Sequence, residues 1–325
     1  MAGYAVSGTA LAIGHQKTLN RYTAYGLQID SEVPLPGLLP GSNRPAEVSV
    51  RFGSVPTELP DPLRKYTYFE ARPGAFLLRV PKVGRYLVIE GRNIVIERLP
   101  DYSEELLRIF LLGSAFGSLL HQRRLLVMHA SSVQTTNGAV LFVGPSGHGK
   151  STVLAALARR GYAMLADDVT AVSVDSPSGP LAFASFPRQR LGPDVAAGLG
   201  YEVETLTRVE NSDKYLAPVA SFCGDSLPVY AVYALNVDET SSISVEAVDR
   251  LERFAVISAN TYRYEFLEGL GLREMHFRAA ARLAGAVHVG RIKRPASSFL
   301  LDQMVDRIEE ELGAPTSETT GKVMT

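Results

Sequence analysis

Eight consecutive residues near the middle of the chain, Gly144-Pro-Ser-Gly-His-Gly149-Lys150-Ser151, fit the spacing G-x-x-x-x-G-K-[ST]. Glycines at these positions let the backbone curl until successive N–H groups point at one centre, which is what a phosphate tail requires. A lysine directly after the last glycine can reach β- and γ-phosphates, and the hydroxyl that follows can ligate Mg²⁺. The apolar run 139–143 enters the loop and a helical stretch, 150–160, leaves it, so the N-terminal end of a helix adds its positive dipole. A plain glycine-rich turn would also fit the composition; the strand before it and the helix after it favour a phosphate loop. The nucleotide-binding segment is then Gly144, Pro145, Ser146, Gly147, His148, Gly149, Lys150, Ser151 and Thr152, with His148 a solvent-facing spacer given no role of its own.

Asp167 and Asp168 end the apolar run 162–166. An acid at the end of a buried strand is the usual second half of such a site, because it holds Mg²⁺ directly or through water. Two adjacent acids suit two roles, one serving the metal and one accepting the proton of an attacking hydroxyl. Side chains alternate along a strand, so both acids serve one site only if the strand ends there and the chain turns. His129 ends another short apolar run, 125–128. Alone it reads as structural; next to a strand that ends in the phosphate loop, its imidazole comes near the transferring phosphate.

The elements that must position these residues read as strands alternating with helices, an α/β arrangement. Residues 101–122 read as a helix with Ser103 as N-cap and two glutamates in its first turn. Strands are expected over 229–237 and 287–293, and helices over 248–260, 265–284 and 299–312. Ahead of them the chain is different. Ten of its 19 prolines lie at or before Pro100, seven of them between Pro34 and Pro62. Such a stretch forms turns and short extended pieces. Alternating runs over 25–29 and 47–52, and a β-meander over 75–98, make the first hundred residues a β-rich module whose scattered Arg and Tyr read as a solvated face. The expected organisation is therefore a β-rich α+β module over 1–100, a connecting helix over 101–124, a P-loop α/β domain over 125–313 and a frayed tail over 314–325.

Composition excludes several function classes. The 325 residues are 46% hydrophobic and 21% charged, and 33 Lys plus Arg face 34 Asp plus Glu for a net charge of -1. There is no broad basic field for nucleic acid. No apolar run approaches 18 residues, so no membrane-spanning helix is expected. The opening residues 1–16 lack the charged start of a secretory signal. Cys223 is the single cysteine, so no internal disulfide forms; this fits a reducing cytoplasm.

Three separated pieces, His129-Ala-Ser-Ser-Val, the phosphate loop, and Arg160-Gly-Tyr-Ala-Met-Leu-Ala-Asp-Asp168, together resemble the catalytic domain of HPr kinase/phosphorylase. In that family a His precedes the loop and an Arg-Gly-His-x-Leu-Val-x-Asp-Asp segment follows it. The spacings agree: 15 residues from His129 to Gly144 and 23 from Gly144 to Asp167. The resemblance spans about residues 125–172 and continues more weakly, in element order, to about 312. It implies an ATP- and Mg²⁺-dependent kinase that phosphorylates a serine hydroxyl in a peptide or small protein. By matching position, Lys150 and the loop hold the phosphates, Ser151 and Asp167 serve Mg²⁺, Asp168 is the general base, and His129 sits beside the transferring phosphate.

The chain also departs from that family. Its Leu-Glu-x-Arg-Gly-x-Gly signature is missing, so phosphorolysis is not expected. The proline-rich first hundred residues do not look like the regulatory domain of the sugar-uptake enzyme, so HPr is not the expected substrate. The arrangement looks more like the shorter HPr-kinase-like proteins of peptide natural-product pathways, including lasso-peptide tailoring kinases that act on the C-terminal serine of a precursor. The related enzymes form rings, which leaves a homo-oligomer open. Lys214 is either a further cation near the phosphates or a surface lysine, and Arg188 and Arg190 either grip an acidic substrate bidentately or solvate a loop. Two other readings compete: a P-loop ATPase or nucleotide-dependent switch, and a leader-peptide-binding module in which ATP is structural.

Overall fold

A computed structural model describes residues 19–238, 242–295 and 300–312. The opening segment 1–16 and the tail 314–325 lie outside the described residues, as does Phe299, the first position of the helix expected over 299–312.

The first part of the chain builds a nine-stranded mixed sheet. Its strands are β1 (Asn20–Ala24), β2 (Leu27–Ser31), β3 (Leu39–Pro40), β4 (Val48–Phe52), β5 (Arg64–Lys65), β6 (Phe69–Arg72), β7 (Ala75–Val80), β8 (Gly84–Ile89) and β9 (Asn93–Arg98), in spatial order β3-β1-β2-β4-β9-β8-β7-β6-β5. The meander expected over 75–98 is β7-β8-β9, antiparallel throughout. Residues 25–29 do not form one strand: Tyr25 and Gly26 take φ of 54° and 72° and turn the chain between β1 and β2. Alternate residues of β8, Tyr86 and Val88, are fully buried while Arg85 and Leu87 are not. That period of two gives the sheet one covered face.

The covering element is the connecting helix, which is not regular. α1 (Glu104–Phe110) is capped by Ser103, whose Oγ accepts the Leu106 N–H at 3.1 Å. A π turn at Leu111–Ala115 follows, then α2 (Phe116–Gln122). Leu107, Leu111, Phe116, Leu119 and Leu120 pack with Phe76, Tyr86, Ile94 and Ile96 in one core. Each such fully buried side chain contributes about 1.5–3 kcal/mol. Tyr86 also donates its hydroxyl to Leu107 O at 3.0 Å. The aromatic residues of the first module are therefore partly interior, not only a solvated face.

The remainder forms a second sheet wrapped by helices. In chain order come β10 (Leu126–Met128), β11 (Ala130–Thr135), β12 (Gly138–Val143), α3 (Lys150–Arg159), β13 (Met164–Ala166), β14 (Thr170–Ser173), β15 (Leu181–Phe183), β16 (Gln189–Leu191), α4 (Pro193–Gly198), β17 (Thr207–Arg208), β18 (Tyr215–Ala217), β19 (Leu227–Asp238), β20 (Ser244–Ala247), α5 (Arg250–Ala259), α6 (Glu265–Leu270), α7 (Arg273–Ala286), β21 (His288–Pro295) and α8 (Leu301–Leu312). The main path is β10-β14-β15-β19-β12-β11-β13, with β21 parallel to β19 and β20 beside β21. A small separate sheet runs β16-β18-β17.

β12 is buried along its whole length. Ala139, Leu141 and Val143 enter a core with Ile257 of α5 and Leu283 of α7, while Val140 and Phe142 enter a core with Leu154 of α3 and Val305 of α8. A continuous apolar run with helices on both sides is the signature of a central strand. The stretch expected as one helix over 265–284 is two, because Gly271 takes φ 69° and closes α6. Among the described residues no helix is long and apolar enough to cross a membrane.

Candidate functional site

The loop after β12 is shaped by close approach. Gly144 has φ 145°, and a Cβ on it would meet Leu235 O at 2.9 Å, so β12 ends hard against β19. Gly147 and Gly149 take φ of 84° and 98°, which turn the chain into the first residue of α3. Pro145, Ser146 and Gly147 are exposed, whereas Gly144 and Lys150 are buried. His148 is not a free spacer: its Nδ1 lies 3.1 Å from Leu235 O, tying the loop to β19. Lys150 Nζ donates to Gly144 O at 2.8 Å and Pro145 O at 3.1 Å, so the ammonium lies inside the curl of its own loop. Burial holds the Lys150 pKa below its ordinary value, opposed by Asp168 and Asp167 and reinforced by Lys214.

The acids lie where two neighbouring strands break. β11 pairs with β13 through Ser132 and Ala166, while β10 pairs with β14 through Met128 and Thr170. His129 alone separates β10 from β11, and the turn containing Asp167-Asp168 separates β13 from β14. Both breaks therefore fall side by side. Asp168 takes φ 99°, a costly backbone for a residue with a Cβ. Its N–H donates to Ala130 O at 3.2 Å and its carbonyl lies 3.0 Å from His129 Nδ1. This kink meets the condition that strand alternation sets, because both carboxyl groups now line one small cleft with Arg188 and Arg190.

The two carboxylates have separate partners. Asp167 Oδ1 accepts from Ser131 Oγ at 2.7 Å and from Ser151 Oγ at 2.8 Å, and Oδ2 accepts from Arg190 N at 3.4 Å. Burial pushes the Asp167 carboxyl above the usual range, with the Ser131 hydroxyl drawing it back. Asp168 Oδ2 accepts from Arg190 Nη2 at 2.7 Å, and its Oδ1 lies 3.4 Å from His129 Nδ1. Burial lowers the His129 pKa, against the pull of Asp168. A carbonyl can only accept, so the neutral ring carries its proton on Nδ1 and leaves Nε2 as an acceptor.

The structure thus gathers Lys150, Ser151, Asp167, Asp168, His129 and Arg190. Lys214 is exposed, in the turn between β17 and β18, and reaches the group only as a charge felt by Lys150. Thr152 is buried behind Gly149. Arg188 lines the same cleft and feels the attractive charge of Glu105, but among the described residues its buried Nε has no hydrogen-bond partner. Burial, and then repulsion from Arg190, depress its pKa.

Three participants escape sequence reasoning. Ser131 lies within the run that begins at His129, but no spacing of its own marks it. Gln189 Nε2 donates to Ser151 O at 3.1 Å and steadies the start of α3. Tyr25, from the first sheet, lines the cleft with the acids, and its N–H donates to Ala184 O at 2.7 Å. Only the turn between β1 and β2, invisible as a lone Tyr-Gly pair, brings it there.

The residues suit a magnesium nucleotide. The loop offers a concave backbone with a buried cation, and Ser151 with Asp167 forms a hydroxyl–carboxylate pair of hard oxygen donors at the helix start. Among the described residues no group of three or more His, Cys, Asp or Glu gathers into an all-protein metal cage.

No family model matches the chain, and no curated protein matches it. Among solved structures, that of the Hpr(Ser) kinase/phosphatase from Coxiella burnetii is similar, at 14% identity and a TM-score of 0.28, over 57% of this chain and 96% of that one. The likeness is a distant one, at the level of a mixed α/β fold.

Proposed function

We propose that the chain is an ATP- and Mg²⁺-dependent kinase that phosphorylates a hydroxyl, namely a serine in a peptide or small protein. The observation that supports it most is the meeting of Ser151 and Ser131 on one oxygen of Asp167, directly beside the glycine loop. The loop amides and Lys150 would hold the phosphates, and Ser151 and Asp167 would hold Mg²⁺. ATP, when bound, supplies an activated phosphoryl group.

Asp168 accepts the proton of the attacking serine hydroxyl. Arg190 fixes one of its oxygens at 2.7 Å, and the strained backbone aims the other toward His129. His129, uncharged at neutral pH, orients that carboxylate and offers Nε2 to the acceptor side. Lys150, whose Nζ rests on its own loop carbonyls, would turn to phosphate oxygens when the nucleotide binds. The finest form of this reading, a C-terminal serine of a ribosomal lasso precursor, comes from the resemblance alone.

Incubation with γ-labelled ATP and serine peptides tests the proposal. Label in peptide supports a kinase. Free phosphate without labelled peptide supports an ATPase or switch, and label in neither supports a binding module.

A further inference from the structure

Next to the acid cleft lies a larger cavity, of about 360 Å³, walled on three sides by different parts of the chain. Leu35 and Gly37 come from the first sheet's loop, Arg108 and Leu112 from the irregular helix, and Arg188 and Leu216 from the second half. Leu112 and Arg188 line both the cavity and the acid cleft, so the two spaces adjoin. The larger one does not contain Asp167 or Asp168 among its walls. Its lining is mostly apolar, with two guanidinium groups and one carboxylate, Glu105.

The charges there are unequally satisfied. Arg108 is held by Pro34 O at 2.9 Å and by Glu104, and Glu105 Oε1 accepts the Glu210 N–H at 3.0 Å. Arg188 Nε has less than 1 Å² exposed and no partner among the described residues. A buried donor of this kind normally finds an acceptor, and a guanidinium edge matches a carboxylate in geometry and charge. Glu105 on the same wall, whose charge already acts on Arg188, repels a dianion such as phosphate more strongly than a single carboxylate. A carboxylate fixed on the acceptor serine itself would sit against Asp167 and Asp168, which repel it. One carried some residues away, among apolar neighbours, falls in the larger cavity.

We infer that this cavity is the acceptor's docking subsite, in which Arg188 takes an aspartate or glutamate side chain of the substrate peptide while Leu35, Leu112 and Leu216 cover its apolar flanks. The inference rests on the kinase reading for the identity of the acceptor but not for the binding. It gives the first module a part in the reaction, since its β2–β3 loop forms one wall of the subsite and its β1–β2 turn brings Tyr25 to the acid cleft.

The test uses the full chain, immobilised, and a peptide library with one fixed serine, split into an amidated pool containing Asp and Glu, an amidated pool without them, and a pool without them ending in a free carboxylate. Retained peptides are sequenced, and each pool is separately offered γ-labelled ATP. Acidic peptides should be retained at least about tenfold over both other pools, a difference of about 1.4 kcal/mol. Arg188→Gln should abolish that selection. Gly37→Phe should abolish it too, since Gly37 lines the cavity and a Cβ there meets nothing within 4 Å. Nucleotide binding should stay at the parent level in both variants.

Equal retention of all pools, preference for the free-carboxylate pool, no retention, or selection that survives either folded variant would overturn the inference. Peptides retained by charge but never labelled would sink the kinase reading and leave the subsite standing. Peptides labelled without acidic preference would do the reverse.

Discussion

Replacing Ser131 by Ala removes one of two hydroxyl donors from Asp167 Oδ1 and touches nothing else in the proposed chemistry. The lost bond is 2.7 Å long, and its donor is fully buried at the edge of β11. Hydrogen bonds to charged groups contribute about 1.5–3 kcal/mol. Ser151 at 2.8 Å and the Arg190 N–H at 3.4 Å remain on the same carboxylate, which places the loss in the lower half of that range. At about 1.36 kcal/mol per decade, kcat/KM for labelled phosphoryl transfer should fall about 10- to 45-fold. Ser131 also favours the ionised form of Asp167 against burial, so its removal should shift the acidic limb of the pH–rate profile to higher pH. Ser131→Thr keeps Oγ and suits a strand, and should restore most of both. Thermal unfolding followed by circular dichroism controls for the fold. A folded Ser131→Ala variant with parental kcat/KM and an unmoved acidic limb would refute the role given to Asp167.

Lys150→Ala should lower transfer by about 100-fold or more with little change in melting temperature, because among the described residues Lys150 Nζ bonds to its own loop, at Gly144 O and Pro145 O; near-parental turnover would remove the loop from the site. Asp168→Asn should end hydroxyl phosphorylation while calorimetry still detects ATP binding, since Asn tolerates the φ of 99° better than most residues; if Asp167→Asn behaves this way instead, the two acids exchange roles. His121, fully buried with Nε2 at 2.9 Å from Tyr262 O, has its pKa held down to about 4, chiefly by burial. The unfolded chain then takes up a proton near pH 6.5 that the folded chain refuses until about pH 4, so this stability is complete above pH 6.5 and is lost as pH falls through that window. Its total is about 3 kcal/mol, and urea unfolding at pH 7 and pH 4.5 should show a smaller difference for His121→Leu than for the parent.

Local pattern makes much of this legible. The glycine loop, the run into it and the helix out of it involve neighbours in sequence, so periodicity and turn chemistry are enough to place them. The meander over 75–98 is readable for the same reason. What stays hidden depends on contacts between distant segments. Tyr25 joins the acid cleft only because β1 and β2 turn where alternation alone suggests a continuous strand. The π turn at Leu111–Ala115 has an unremarkable apolar composition, and its extra residue shows only once both faces of the helix have partners. His148 reads as free in sequence because its acceptor, Leu235 O, lies on a strand 87 residues further on.

The site's strain and the site's stability have different sources, and this constrains how it works. A residue with a Cβ at φ 99° costs about 1–3 kcal/mol. Asp168 offsets that cost within its own surroundings: its N–H is held by Ala130 O, its carbonyl by His129 and its carboxylate by Arg190. None of these partners is an apolar core contact. The cores on the two faces of β12 hold the loop and strands, while the polar set around Asp168 holds the angle at which the carboxylate is presented. Loss of one polar partner should therefore leave the protein folded and let Asp168 relax out of aim. The π turn belongs to the same arrangement. π bulges gather at functional sites because the extra residue re-aims a helix face. Here Leu111, Leu112 and Phe116 all lie in the core beneath the first sheet, and Leu112 with Gly113 also lines the acid cleft. The first sheet and the acid pair are thereby joined through one helix, and with Tyr25 the β-rich module lines the cleft beside the glycine loop.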